Sequence, residues 1–174
     1  MVHIKLSRFD EALATYQRAL NLLPVSAAAR AITAHTGMAT IYIKQGEIQR
    51  GISLYQEVLS ALTGEQEKAM RANILLSVAA YLLIGDHSSA ESGLQEASAL
   101  FEDAGDKAGV ASANFAVGLL YARLERYGEA GHWLENALST WRTLDNPVIV
   151  AEISVVLSIV TYNNENVELA IAYA

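Results

Sequence analysis

A repeat about forty residues long constrains this chain more than any other feature. A small residue recurs at Ala12, Gly51, Ala90, Ala130 and Ala170, every 39 or 40 residues. Four positions later stand Tyr16, Tyr55, Leu94 and Leu134, with Ala174 in the last copy, and three further on come Ala19, Val58, Ala97 and Ala137. Spacings of three and four keep these residues on one helical face. A period of this size is the signature of a solenoid, in which each unit buries its apolar face against the next. No useful stretch alternates with period two, so no sheet is expected.

Within the period, helix signals alternate as A and B. A remnant of A1 is expected before Ser7, with B1 near 9–22, A2 near 26–44 and B2 near 47–62. A3 follows near 64–84, B3 near 87–103, A4 near 107–124 and B4 near 127–143. A5 is placed near 147–163, and B5 starts near 166. Gly46 and Gly85 fall where an A helix must reverse, and glycine reaches the left-handed backbone at little cost. Glu125 and Glu165 stand at the later turns in place of glycine. Asp86 is a candidate cap for B3, and Thr63-Gly64-Glu65-Gln66 has capping-box spacing at A3. Asn146-Pro147 sets a good cap before a proline at the first helical position. The A helices are apolar nearly all round, as in Ile74–Ile84, whereas the B helices are one-sided. That contrast places A helices on the inner side of a two-layer array and B helices on the outer side.

These residues resemble the tetratricopeptide repeat, whose unit has a small residue, a tyrosine three later, a turn, a small residue nine after the tyrosine, then a large apolar residue and another alanine. The best copy is Gly118, Tyr121, Tyr127, Ala130, Leu134 and Ala137. Others are Ala39, Tyr42, Gly46, Gly51, Tyr55, Val58, and Val78, Tyr81, Gly85, Ala90, Leu94, Ala97. The first copy survives as Phe9, Ala12, Tyr16, Ala19 and Pro24, and the fifth is degraded to Ser158, Thr161, Val167 and Ala170. The usual unit has 34 residues, so the longer period here is similar to repeats of large bacterial transcriptional activators and signalling proteins. The extra residues are expected between B and the next A, as in 101–109. The resemblance implies an all-α, right-handed α-solenoid of antiparallel helix pairs. It forms a single domain over 1–174: a partial repeat 1–24, repeats near 26–62, 64–103 and 107–143, and a partial repeat 147–174. Ends without polar capping helices suggest a fragment of a larger protein, or ends that self-associate.

Composition narrows the function. There is no cysteine, which removes disulfides and thiolate metal sites and suits a cytoplasmic protein. A net charge of −7 argues against nucleic acid as a partner of this segment. The apolar runs 74–84 and 148–160 are too short to span a membrane, and no signal peptide is present. Glu129, His132 and Glu135 share one face of B4, but no second Glu-x-x-His supplies the other half of a metal site. They read as a solvated surface, and His35, Trp133 and Trp141 read as packing residues. No nucleophile elbow or phosphate loop appears. No catalytic residue, metal or cofactor is therefore expected.

The resemblance implies a partner-binding groove along the A helices. Carried over copy by copy, its residues are Thr36, Thr40 and Ile43; Leu75, Ala79 and Leu82; Phe115, Leu119 and Ala122; and Val155, Ile159 and Tyr162. The set is small or apolar and lacks a basic clamp. It suits a protein or peptide presenting the apolar face of a helix. Two other functions fit the same array: an arm of a transcriptional regulator that senses a small effector, and a structural spacer.

Overall fold

The structure is a computed structural model that describes residues 2–24, 27–64, 67–82 and 87–174. Side chains are described from residue 8 onward, apart from 80–82, 167 and 168. The capping box at 63–66, the Gly85 turn and the Asp86 cap lie outside the described residues. The described residues form α-helices without strands, and their contacts gather into two units, Met1–Glu65 and Gln66–Ala174.

The first unit holds α1 (Val2–Leu22), α2 (Ala28–Lys44) and α3 (Ile48–Ala61). Here α1 is one helix through Ser7, with no A1–B1 turn. No glycine or proline interrupts 2–22, so nothing locally breaks the helix. α2 packs on both α1 and α3. Glycines set how closely these helices approach. A Cβ on Gly37 would stand 2.5 Å from the Tyr16 ring of α1, and one on Gly51 would stand 2.7 Å from the Ala39 carbonyl oxygen. Tyr55 and Val58 are buried beneath α2, and Tyr55 OH lies 2.7 Å from Thr40 Oγ1.

The second unit holds α4 (Lys68–Leu82), α5 (His87–Asp103), α6 (Lys107–Arg123), α7 (Tyr127–Thr143), α8 (Pro147–Asn163) and α9 (Val167–Tyr173). Successive helices pack on each other, and α6 also touches α4. That explains why α6 buries several faces, including Ala111, Ala113, Val117 and Leu120, whereas α7 buries the single stripe Ala130, Leu134, Ala137, Leu138 and Trp141. The core positions repeat as expected. Ala90, Leu94 and Ala97 are fully buried, and so are Ala130, Leu134 and Ala137 forty residues later. A Cβ on Gly118 would meet Leu134 Cγ at 2.6 Å, so this glycine lets α6 and α7 come together.

The extra length of the period does not form longer loops. α5, α6, α7 and α8 are each 17 residues long, and three residues join each to the next. The added residues extend helices, which bury apolar surface as a loop would not. Each joint has the same chemistry. At 101–106 the Asp106 amide donates to the Phe101 carbonyl and the Gly105 amide to Glu102, both at 2.9 Å. This is a Schellman closure, whose last residue is also the N-cap of the following helix. It recurs at Arg126→Tyr121, Asn146→Trp141, Asn166→Thr161 and, in the first unit, Glu47→Tyr42. The middle residue is left-handed each time: φ is 91° at Gly46, 67° at Gly105, 59° at Glu125, 53° at Asp145 and 61° at Glu165. Asp106, Asn146 and Asn166 then accept from the amides of Gly109, Ile149 and Leu169. Each such cap is worth about 1 kcal/mol.

A glutamate in the left-handed region costs roughly 1–2 kcal/mol. A glycine there gives back about 0.4–1 kcal/mol by loosening the unfolded chain. Glu125→Gly is therefore expected to raise stability by about 0.5–1 kcal/mol, measured by thermal or urea melting. A destabilised variant would mean that the Glu125 backbone is not strained.

Candidate functional site

Ile43, Leu75 and Ala79 are buried in the cores of their own units, which leaves them no open surface. Their faces are covered by neighbours within each unit: α1 and α3 pack on α2, and α5 and α6 on α4. Thr36 is half-buried and its hydroxyl donates to the Ile32 carbonyl; Thr40 donates to Thr36 and lies against Tyr55 OH. Phe115, Leu119 and Ala122 are half-buried, and Phe115 and Ala122 rest against the core of the second unit. The side chain of Leu82 lies outside the described residues.

The last three positions are different. Val155, Ile159 and Tyr162 of α8 are 59 %, 58 % and 65 % exposed. Their i, i+4, i+7 spacing makes one continuous apolar stripe. Asn146 capping and Pro147 at the first turn start α8 in the phase that buries Ile153, Leu157 and Val160, and the stripe is what remains outside. α9 extends it. Ile171 is 72 % exposed, and a depression of about 370 Å³ lies between Ser158, Ile159 and Tyr162 of α8 and Ala170, Ile171 and Ala174 of α9. Thus the structure brings Ile159 and Tyr162 together with α9 residues that the groove pattern leaves out. Among the described residues, the side chains lining this depression are uncharged, so shape and apolar burial dominate what it offers a partner.

The residues weighed for chemistry have structural partners. Glu129 accepts from Nε and Nη2 of Arg126, which holds its carboxyl below the usual range. His132 Nε2 lies 3.2 Å from Asn136 Nδ2, and Glu135 accepts from Tyr173 OH. Burial, then the Glu135 charge, raises the Tyr173 pKa. Arg126 also stacks over the Tyr121 ring at 4.4 Å, as Arg50 does over Tyr42 at 3.9 Å. Among the described residues, no three acidic or histidine side chains gather at one point. None of the described helices is long and apolar enough to cross a membrane.

The architecture defines a class of fold: an all-α helical-repeat solenoid of the tetratricopeptide type. No family model matches the chain, and no curated protein matches it by sequence. Solved structures share its fold. BtubC (BKLC) from P. vanneervenii is 22 % identical over 98 % of this chain and 72 % of its own, with a TM-score of 0.87. The apo form of RapI is 15 % identical over 99 % of this chain, with a TM-score of 0.85, and this chain spans about half of it (49 %). MamA protein is 16 % identical over 97 % of this chain and 80 % of its own, with a TM-score of 0.66.

Proposed function

We propose that the chain is a protein-interaction scaffold whose second unit receives the apolar face of a partner helix on α8 and α9. The observation that carries this reading is the exposed stripe Val155, Ile159 and Tyr162 running into the depression beside Ile171. Burying one such side chain contributes about 1.5–3 kcal/mol, so three or four suffice for a specific contact. We read the two units as successive stretches of one repeat array, and the array as a section of a larger regulatory protein. The RapI chain, about half of which this chain matches in fold, is an example of a longer chain containing such an array.

Ile159→Glu tests the reading, since it places a charge in the stripe without touching a buried residue. Partner proteins recovered from source lysate by wild type are expected to bind this variant at least tenfold more weakly, about 1.4 kcal/mol. Equal recovery by both would remove α8 as the docking face. A concentration-dependent mass in light scattering, abolished by the same substitution, would instead assign the surface to a second copy of the chain.

A further inference from the structure

A second recess lies on another face of α6. Asn114, Val117 and Tyr121 line it, whereas Phe115, Leu119 and Ala122 belong to the groove stripe. It has a volume of about 230 Å³ and is bounded by α5 on one side and Trp133 of α7 on the other. The floor is apolar: Leu94 is fully buried, Val117 nearly so, and Trp133 is half-buried against the core. The α5 wall carries a polar row beside Leu94 and Ala99. Glu91, Gln95, Ser98 and Glu102 line the recess with spacings of four, three and four residues, which keeps them on one stripe. Glu91 and Glu102 are eleven residues apart. They therefore stand about 16 Å apart along the helix.

This wall breaks the repeat. The same row in α3 begins with Ile52 and has Leu59 in third place; in α7 the third place is Leu138, which is buried. Only α5 sets a carboxylate first, a serine third and a carboxylate last. Leu138 at the third place of α7 is buried, whereas Ser98 at the third place of α5 lines an open recess. The first unit holds a comparable recess over Tyr42, lined by His35, Met38 and Leu54 at the matching positions. There Arg50 is part of the lining, and Glu57 is the only carboxylate. Over Tyr121 the stacked guanidinium is Arg126, bonded to Glu129 as Arg50 is to Glu47, and no cationic side chain lines the recess itself. Thus the two recesses differ in lining: Arg50 and Glu57 line the first, whereas Glu91 and Glu102 stand at the ends of an apolar trough in the second.

We propose that the α5–α6–α7 trough binds a linear aliphatic polyamine. The methylene chain lies along Leu94, Val117 and the Trp133 ring, and the terminal ammonium groups meet Glu91 and Glu102. Gln95, Ser98 and Asn114 offer oxygen acceptors between the ends. Glu91 keeps one oxygen for Tyr121 OH at 2.7 Å, which fixes the carboxylate at the rim and leaves the other oxygen for the ligand. Two charges at a set distance, joined by an apolar floor, distinguish such a ligand from a metal ion or a monoamine.

The test is calorimetric titration of the whole chain with spermidine at low salt, with n-butylamine as the single-charge comparison. One site is expected, with butylamine at least tenfold weaker. The double variant Glu91→Gln/Glu102→Gln should bind spermidine at least tenfold more weakly while its helix content, followed by circular dichroism, is kept. Glu11→Gln/Glu152→Gln removes the same charge from exposed positions elsewhere and should bind like wild type. Unchanged binding by the trough variant overturns the proposal. So does equal weakening by both double variants, which would reveal general attraction to an acidic chain. If the trough variant loses helix content, Ser98→Leu decides: it restores the residue used elsewhere in the row and should abolish binding with the fold intact.

Discussion

Phe101→Ala is expected to lower the stability of the second unit by about 4 kcal/mol. The ring is 1 % exposed and closes the joint between α5 and α6. It occupies space that a side chain on α6 would otherwise take: a Cβ on Gly109 would lie 2.2 Å from Phe101 Cδ1. The two positions are therefore coupled. Gly109→Ala alone should destabilise by roughly 1–3 kcal/mol through overpacking. In the Phe101→Ala background the same substitution should cost nothing, because the obstructing ring is gone. Urea melts of the four proteins measure this cycle. Additive losses would show that Phe101 and Gly109 do not share one space.

Tyr121→Ala should cost about 3 kcal/mol, since it empties the gap between α6 and α5. Tyr121→Phe separates packing from polarity and should cost about 1 kcal/mol, the value of one hydrogen bond to Glu91. The same bond, followed by burial, raises the Tyr121 pKa. The folded state thus favours the neutral phenol. Its contribution is whole below the unfolded tyrosine pKa, near 10, and is lost as pH rises through the higher folded value. Wild type should therefore lose its advantage over Tyr121→Phe in alkaline melts. A difference that stays constant with pH would place the effect in packing alone.

The residues explain why some of this was legible and some not. The period located the core because Ala90, Leu94 and Ala97 do the same job as Ala130, Leu134 and Ala137, and close packing tolerates few residue types there. Asn146-Pro147 and Gly46 carried their own turn chemistry. A period cannot divide its residues between helix and loop, however, so the expected long connection at 101–109 is instead a three-residue joint. A finer signal was present: Phe101, Tyr121 and Trp141 recur every 20 residues at the first position of each closure. In α1 no such closure exists, and the expected break before residue 9 is absent. The exposure of the expected groove positions was not legible in the repeat. Spacing identifies the face of a helix, but burial depends on the neighbours that cover it, which separates Ile43, Leu75 and Ala79 from Val155, Ile159 and Tyr162.

The uniform joints make the second unit editable. A left-handed residue stands at Glu125 and again at Glu165, with the same carbonyl pairing before it and a cap position after it. Splicing the chain between those two points removes one hairpin and recreates an identical seam. A cut of half that length would rejoin the wrong kind of helix, exposing the several-sided apolar surface of an A helix where a one-sided B helix belongs. Evolution, or a protein engineer, can therefore lengthen or shorten this array in steps of forty residues but not of twenty.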